Sequence, residues 1–592
     1  MYIKLLNKNK NSLIIFFMFI LFSVLDISSI KKQNVFNDNN SNRALVAIKI
    51  ESKKVLLIWR CQYDDYQAGF DIYRNNKKIN DELITKSTCF IDSNVNFNIN
   101  TKYLVKKIKN GKEVESFSTC LMLEKDYIEI PLTKRNNYFV HHIWPGDLDG
   151  DGNFDFVVSR LPRNADTNFH PLVEAYLLNG KHLWTIDMGP LSIKKLENEG
   201  SNDAPAASIS GYGNVAGYRD NDNITVYDIN NDGIAEVFIR TADGVVFGDS
   251  TILETNIKNQ FISVINGQTG KEIYRLPVPD DYKNDGPLGG NFGIAYLDGH
   301  TPSLVTKFVN RRSDKKFNCI ICAYDWIDAT LKLKWKWKRN ENNNAQYFHQ
   351  IRIIDVDGDG RDDICSGNFV IDSYGKLLYI VDSTVHGDRF HITDINVERE
   401  GLEGFAIQQT ENGVFSNFSW YYYDASNGKI LLKSSKNEDV GRGIVGDIDP
   451  RFRGYEFWAN DGIYNSYGVK ISENMPPVNL RIWWDGDLLD EILDKTSIYK
   501  WDYINKKSIE IRKFDDVSST LRNVPPFYGD ILGDWREEIV YETKDHKFLR
   551  IFISTENTEN KLINPLYNRA YRLCFTTHGY YQSNLLDYFI EK

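Results

Sequence analysis

The chain contains the stretch Asp147-Leu148-Asp149-Gly150-Asp151-Gly152-Asn153-Phe154-Asp155. Its carboxylates lie at alternating or nearly alternating positions, with glycines between them. Ca²⁺ binds about six to eight oxygen ligands, so a short loop must turn several carboxylates and carbonyls inward, and glycine permits that sharp turn. This spacing therefore indicates a loop that can hold one Ca²⁺ ion.

The pattern occurs again at residues 228–236 and at residues 355–363, which makes it a repeat. Each loop runs into an apolar, strand-like segment, whereas an EF-hand places a loop of about twelve residues between two helices. We expect Ca²⁺-binding turns between strands; solvated acidic turns without metal are the alternative. The expected ligands are Asp147, Asp149, Asp151, Asp155, Asp228, Asn230, Asp232, Glu236, Asp355, Asp357, Asp359 and Asp363.

Charge and the N-terminal residues limit the classes of function. The chain has 592 residues and a formal net charge of −10, which argues against a nucleic-acid partner. Three lysines precede an apolar run from Leu13 to Leu25, which suits a signal peptide and is too short to span a membrane. We predict a signal peptide over residues 1–30, a spacer over residues 31–43, and a secreted, extracellular monomer with no membrane partner after signal removal. A signal anchor is the alternative.

Two regions with different strand patterns follow the spacer. Residues 44–125 alternate apolar and polar side chains in short segments and include Trp59 and Tyr103, which predicts a fibronectin-III-like β-sandwich without chemistry of its own. From residue 130 to residue 592, acidic turns alternate with pairs of apolar strands joined by a glycine turn, in units of about 40–80 residues. No convincing amphipathic helix is present, and the strongest local candidate is Leu488 to Leu493.

Small antiparallel sheets that repeat at this length build a β-propeller, in which each blade buries its face on its neighbours. The number of acidic turns suggests seven or eight blades. A β-helix is less favoured because its turns are shorter. We therefore predict an all-β fold, with a calcium-binding β-propeller over residues 130–592 after the sandwich.

Longer motifs between the turns resemble the rhamnogalacturonan lyases of polysaccharide lyase family 11. They lie at residues 293–299, 439–451, 482–489 and 532–538. The resemblance implies an eight-bladed β-propeller with an N-terminal β-sandwich-like portion and several bound Ca²⁺ ions. It also implies cleavage of the rhamnose–galacturonate backbone of pectin by β-elimination, with the anionic sugar chain received in the central hollow of the propeller.

β-Elimination needs a cation that acidifies the C5 proton of galacturonate, a base that removes it, and a donor near the leaving oxygen. The resemblance implies that His349 and His386 are catalytic and that His386 and Asp388 hold a metal ion. Arg442 is the third catalytic candidate, because a guanidinium can pair with a uronate carboxylate through two hydrogen bonds. The expected substrate-binding residues are His391, Trp483, Tyr581 and Gln582. Further Ca²⁺ ligands are expected at Asp447, Asp449, Asp530, Asp534 and Glu538, and another ion at Asp485 and Asp487.

Each of these roles has a structural alternative. His349 could be a core histidine, His386 and Asp388 could lie on the surface, Arg442 could brace a neighbouring loop, and Trp483 could pack between blades.

Four places depart from the family pattern. Residues 159–162 lack a carboxylate that could serve the metal, and Asp220 stands where relatives carry a histidine. Residues 519–521 replace an Asn-Gly-Thr segment, and a late histidine is replaced near Leu585. We predict a secreted, Ca²⁺-dependent rhamnogalacturonan lyase acting on a pectic polysaccharide. The alternatives are a non-catalytic carbohydrate-binding propeller derived from that family and, less favoured because of the lyase-type motifs, an adhesion propeller.

Overall fold

The computed structural model describes most of the chain after residue 42. The described ranges are residues 43–119, 121–163, 169–192, 223–255, 260–279, 281–282, 288–311, 317–340, 344–346, 348–409, 417–520, 522–577 and 582–591. The predicted signal peptide, nearly all of the spacer, and Tyr581 lie outside them. Among the described residues, no helix has the length and apolar character needed to cross a membrane. The all-β prediction is confirmed, since one short helix accompanies the many strands.

The N-terminal region consists of two four-stranded sheets that share one apolar core. One sheet has the order β5-β2-β1-β8, with β1 (Val46–Glu51), β2 (Lys54–Ile58), β5 (Cys89–Asp92) and β8 (Leu121–Leu123). The other has the order β4-β3-β6-β7, with β3 (Gly69–Arg74), β4 (Lys77–Lys78), β6 (Tyr103–Lys109) and β7 (Lys112–Ser118). Alternate residues of both sheets point inward around the fully buried Trp59, whose ring meets the edge of Phe70 at 5.1 Å. This packing explains the period-two pattern of the sequence.

Seven four-stranded antiparallel sheets follow, each made of four consecutive strands paired in chain order. We number them sheets 1 to 7. Sheet 1 contains β10 (Tyr138–Gly146), β11 (Asp155–Pro162), β12 (Leu172–Tyr176) and β13 (His182–Asp187); sheet 2 contains β14 (Ile224–Tyr227), β15 (Glu236–Ala242), β16 (Gln260–Asn266) and β17 (Glu272–Pro277); sheet 3 contains β18 (Gly289–Ala295), β19 (Ser303–Arg311), β20 (Phe317–Ile327) and β21 (Thr330–Lys338); sheet 4 contains β22 (Arg352–Ile354), β23 (Asp363–Cys365), β24 (Phe369–Ile371) and β25 (Leu377–Ile380). Sheet 5 contains β26 (Phe390–Thr393), β27 (Glu403–Ile407), β28 (Trp420–Asp424) and β29 (Ile430–Lys433); sheet 6 contains β30 (Ile444–Gly446), β31 (Glu456–Trp458), β32 (Ile463–Tyr464) and β33 (Lys470–Ser472); sheet 7 contains β34 (Leu480–Ile482), β35 (Glu491–Asp494), β36 (Ser497–Asp502) and β37 (Lys507–Lys513).

Sheet 8 combines two distant parts of the chain. It contains β38 (Val517–Ser518), β39 (Phe527–Gly529), β40 (Glu538–Thr543) and β41 (Phe548–Phe552), and β9 (Tyr127–Pro131) pairs with β41 at its edge. The first strands of sheets 1 and 2, 2 and 3, 3 and 4, 5 and 6, and 6 and 7 are in contact, and β39 contacts β10. The last sheet is therefore a neighbour of the first.

The C-terminal segment lies against the first strands of several sheets. It contains the only α-helix among the described residues, α1 (Arg569–Cys574), whose first turn is capped by the side chain of Asn568. Sheets 2, 4, 5 and 7 each donate a side-chain hydrogen bond to a backbone carbonyl of this segment. The donors are Thr225, Arg352, Thr393 and Arg481, and the acceptors are Thr576, Ala570, Leu586 and Asn584 respectively.

Two expectations change as a result. The C-terminal segment, which the sequence analysis did not place, lies against the first strands through these hydrogen bonds, at the position where a central hollow for the sugar chain was expected. The helix was missed, and the candidate at Leu488 to Leu493 is wrong, because that stretch leads into β35. Its apolar side chains are buried by strand pairing with β34, which the local pattern did not reveal.

Candidate functional site

Three side chains from two segments that are distant in sequence meet at the edge of sheets 4 and 5. The Nε2 atoms of His349 and His386 each lie 3.6 Å from Oδ1 of Asp388. We call these three residues the triad. The backbones of Phe348 and Gly387 form a parallel bridge, which holds the two segments side by side. The structure therefore brings together three residues that the sequence analysis selected, in an arrangement that offers three ligand atoms to one ion.

The triad is buried. His349, His386 and Asp388 are 8%, 1% and 3% exposed. Burial lowers the pKa of His349 to about 3, although the carboxylate of Asp388 acts in the opposite direction. His349 is therefore neutral at neutral pH, and a neutral imidazole has a lone pair that can bind a metal ion. The surface alternative for His386 and Asp388 does not hold.

The ligand types in the triad indicate which metal ions it could bind. Two imidazole nitrogens and one carboxylate suit Mn²⁺ or Zn²⁺ better than Ca²⁺, which prefers oxygen ligands. The carboxylate provides the negative charge that a buried cation requires.

Two arginines lie beside the triad. A Cβ atom added at Gly441 would lie 3.9 Å from Oδ2 of Asp388, so this loop passes directly over the triad. The next residue, Arg442, donates to Oδ1 of Asn479 at 3.2 Å and to the backbone carbonyl of Arg522 at 2.8 Å. The charge of Arg522 also contributes to the lowered pKa of His349. The sequence analysis missed Arg522, which follows the departing residues 519–521 and carries no local signal of its own.

A buried lysine supports the same segment from sheet 3. Lys307, in the middle of β19, donates from Nζ to the carbonyls of Phe348 at 2.7 Å and Gln350 at 3.0 Å. Burial lowers the pKa of Lys307 to about 7. The sequence analysis missed this residue too, although a lysine inside the apolar run Leu304–Val309 was a usable signal.

The other expected substrate residues lie elsewhere. His391 is 3% exposed and its Nε2 lies 3.1 Å from the carbonyl of Gly443. Trp483 is 4% exposed, and the guanidinium of Arg481 lies 4.0 Å from its ring centre. Their burial favours packing roles for both. Gln582 lines a small cavity with His142, Tyr528 and Asn584, among others, and no triad residue lines it.

The first acidic loop adopts the tight turn that its glycines indicate. We call the turn between the first and second strands of each sheet its corner; the corner of sheet 1 is residues 147–154. Asp147 accepts hydrogen bonds from the amides of Gly150 at 2.7 Å and Gly152 at 2.8 Å. Both glycines have positive φ angles, 81° and 83°. Asp155, at the start of the second strand, accepts from the amide of Leu148 at 3.0 Å.

The second strand begins with a carboxylate in seven of the eight described sheets, and sheet 3 has Ser303 there. In each of the seven, this carboxylate accepts a hydrogen bond from a backbone amide of the preceding corner. The residues are Asp155, Glu236, Asp363, Glu403, Glu456, Glu491 and Glu538. The sequence analysis recognised four of them as ligands. It missed Glu403, Glu456 and Glu491, although their place before an apolar strand is the same.

The corners differ in whether the chain supplies a cation. Donor atoms of Asp147, Asp149 and Asp155 in sheet 1, and of Asp355, Asp357 and Asp359 in sheet 4, lie within 4.8 Å of one another. The corner of sheet 2 repeats the turn of sheet 1, since Asp228 accepts from the amides of Asp232 and Gly233. The corners of sheets 1 and 4 therefore have the close oxygen donors that the predicted cages need, whereas among the described residues the carboxylates of the sheet 2 corner form no such group of three.

In sheet 7, a lysine occupies the corresponding position. The ammonium of Lys500 lies 2.7 Å from Asp487 and 2.9 Å from Glu491, and it also binds Asp485. Donor atoms of Asp485, Asp487 and Glu491 also lie within 4.8 Å of one another, so the ion expected at Asp485 and Asp487 stays a prediction, with Lys500 at the same place. In sheet 5, Arg399 binds Glu403 at 3.0 Å in the same way.

Two later corners also contain their own cation. Asp449 binds the guanidinium of Arg451 at 2.8 Å, and Asp534 binds that of Arg536 at 3.1 Å. Within the described part of the chain, the expected ligands Asp447, Asp449, Asp530, Asp534 and Glu538 belong to no group of three close donor atoms. Arginine pairing gives Asp449 and Asp534 a partner within the turn, and ion binding by the five expected ligands stays a prediction.

Comparisons with protein families agree with the resemblance. The model of the C-terminal domain of rhamnogalacturonan lyase family 11 matches residues 213–592, and that of the β-sheet domain of rhamnogalacturonan I lyases matches residues 37–121. Rhamnogalacturonan endolyase YesW of Bacillus subtilis is 32% identical over 577 residues, which covers 90% of this chain and 87% of that protein. Rhamnogalacturonan exolyase YesX of the same organism is 29% identical over 595 residues, with 90% and 91% covered.

Solved structures give the same result. The rhamnogalacturonan lyase PL11 of Bacillus licheniformis superimposes with a TM-score of 0.82 at 30% identity, covering 94% of this chain and 97% of that one. The crystal structure of YesW superimposes with a TM-score of 0.80, covering 94% and 97%. The chain therefore belongs to rhamnogalacturonan lyase family 11 and is a polysaccharide lyase.

Proposed function

We propose that this family member cleaves the rhamnose–galacturonate backbone of pectin by β-elimination at the triad. The observation that carries the proposal is the convergence of His349, from one segment, with His386 and Asp388, from another, on one point. The similarity to an endolyase and an exolyase over most of the chain supports the substrate class.

The roles of the residues follow from their chemistry. All three triad residues would hold a divalent ion, with His349 as the third ligand. The C5 proton would pass to hydroxide from solvent, its electron pair would form the C4–C5 double bond as the C4–O bond breaks, and the leaving oxygen would take a proton from water. Bound there, the ion would withdraw electron density from the galacturonate carboxylate and make the C5 proton more acidic. Arg442 and Arg522 would orient the same carboxylate, because guanidinium groups form paired hydrogen bonds with carboxylates. Burial of the triad strengthens these electrostatic interactions by excluding water.

The architecture that we propose is an eight-bladed β-propeller formed by sheets 1 to 8, with Ca²⁺ in the corners of sheets 1, 2 and 4. Its support is the series of contacts between first strands, together with the contact of β39 with β10. The N-terminal region would be a fibronectin-III-like sandwich, and the substrate would approach the triad at the edge of sheets 4 and 5. We also propose a secreted, extracellular monomer, on the basis of the N-terminal residues.

The test is an ultraviolet assay on rhamnogalacturonan I. β-Elimination leaves a conjugated unsaturated uronate that absorbs, whereas hydrolysis or binding does not. We expect the absorbance to rise with the purified protein and a divalent ion. Binding of the polymer without any rise would favour the non-catalytic alternative, which the similarity to lyases does not favour.

A further inference from the structure

Lys307 contacts the backbone of the segment that contains His349. Its side chain is fully buried, and its ammonium donates to the two carbonyls that flank His349 in the chain, those of Phe348 and Gln350. The carbonyl of Phe348 belongs to the peptide unit just before His349, and the carbonyl of Gln350 belongs to the second peptide unit after it, so the two bracket the residues His349 and Gln350. Fixing both of them limits the backbone rotation that sets the direction of the imidazole.

The opposite side of the segment is fixed by sheet 5. The side chain of Gln350 donates to the carbonyl of Phe390 at 2.6 Å, and Phe348 pairs with Gly387. The segment that contains His349 is therefore held between sheet 3, through Lys307, and the segment that contains His386 and Asp388. Burying an ammonium in the core costs free energy, and hydrogen bonds to such partners offset that cost.

We propose that Lys307 is a positioning residue for the triad: by binding both flanking carbonyls, it holds the imidazole of His349 where it meets His386 and Asp388. The inference rests on the proposed function, because it takes the triad to bind a divalent ion. Lys307 acts through the backbone and takes no part in the chemistry.

The chain contains a matched control. Lys561 also donates from Nζ to two nearby carbonyls, those of Asp65 and Ala68, at 3.0 Å each. It is half-buried, and it binds the N-terminal region instead of the triad segment. A purely structural lysine of this kind should contribute to stability and leave ion binding at the triad unchanged.

The experiment measures Co²⁺ binding to the full chain from its visible absorption, which responds to imidazole ligands. The part of the Co²⁺ absorption that the His386→Ala variant loses is assigned to the triad. We expect Lys307→Met to weaken this binding by about tenfold to hundredfold, as for the loss of groups that orient metal ligands. Lys307→Arg, which keeps the charge and can donate to both carbonyls, should restore part of the affinity. Lys561→Met should lower the melting temperature and leave Co²⁺ affinity unchanged.

Each outcome supports or overturns the positioning role of Lys307. Equal Co²⁺ affinity in folded Lys307→Met and in the wild type would overturn the inference, even if the melting temperature falls. If Lys307→Met does not fold, Lys307→Gln, which keeps a donor and loses charge and reach, takes its place with the same two outcomes. If the wild type shows no signal that depends on His386, the ion in the proposed function fails, which is a different result from equal affinities.

Discussion

The triad and the corner of sheet 1 both gather potential metal ligands, yet they differ in donors, burial and position. The triad is buried, includes two imidazoles and joins segments from two sheets. The corner is formed by one continuous loop, offers only oxygen ligands, and contains the exposed Asp151. Its first carboxylate already accepts two amide hydrogen bonds within the turn. From this difference we expect an ion in the corner to stabilise a connection between strands. We expect an ion in the triad to face substrate.

The largest expected effect separates the two regions by activity. His349→Ala should lower kcat by about 10²- to 10³-fold, the range seen when one group that stabilises developing charge is removed. Its melting temperature should change far less than its rate, because the bridge between Phe348 and Gly387 that joins the two segments is kept. The measurement is initial rate together with thermal unfolding, with His170→Ala as the control, since His170 pairs with Asp187 far from the triad in the chain. Full activity in His349→Ala would show that the triad is not the catalytic region.

The second effect concerns Ca²⁺ and stability. Ca²⁺ at a hundredfold excess over its Kd should stabilise chelator-treated protein by about 2.7 kcal/mol for each occupied corner. Asp363→Asn should reduce the gain, since an amide can still accept from Val356 but no longer supplies charge. Thermal unfolding with and without Ca²⁺ measures both. Identical melting temperatures in chelator and in Ca²⁺ would show that the corners need no ion.

The third effect compares the corner of sheet 7, which contains a lysine, with the corners that are proposed to hold Ca²⁺. Sheet 7 supplies its own cation, so Lys500→Met leaves its three carboxylates unpaired. We expect a loss of about 2 kcal/mol in chelator, in line with hydrogen bonds to charged groups. Ca²⁺ should restore more stability in this variant than in the wild type. The control is Lys334→Met, which removes a more exposed pair with Asp325. An equal Ca²⁺ response in Lys500→Met and wild type would contradict the equivalence of lysine and ion.

The smallest effect is a pH dependence. Burial raises the pKa of Glu236 and of Asp363 to about 8, from ordinary values of 4.5 and 3.8. The folded chain therefore keeps protons that the unfolded chain has released, and the free energy of unfolding in chelator should fall as pH rises from about 5 to 8. The slope is at most about 1.4 kcal/mol per pH unit for each group. Ca²⁺ should flatten it, because a cation favours the ionised carboxylates. Denaturant unfolding across this range, with and without Ca²⁺, tests the sign.

The sequence predicted those features that depend on residues close together in the chain. The corners, the alternation around Trp59 and the family motifs are of this kind, and the three histidine and aspartate residues of the triad came from such a motif. Lys307 and Arg522 act across sheets, and Lys500 acts across the strands of sheet 7, so their partners become visible only after folding. His391 was predicted to bind substrate from the family motif and Trp483 from the ability of its ring to stack on sugars, and the structure buries both.

The central claim is β-elimination at the triad, and one time course tests it most directly. Purified protein is added to rhamnogalacturonan I in the presence of a divalent ion, and the absorbance of the unsaturated uronate is followed beside an identical sample of His386→Ala. We expect a steady rise for the wild type and almost none for the variant. A flat trace for folded, polymer-binding wild type, or an equal rise for both proteins, would contradict the claim.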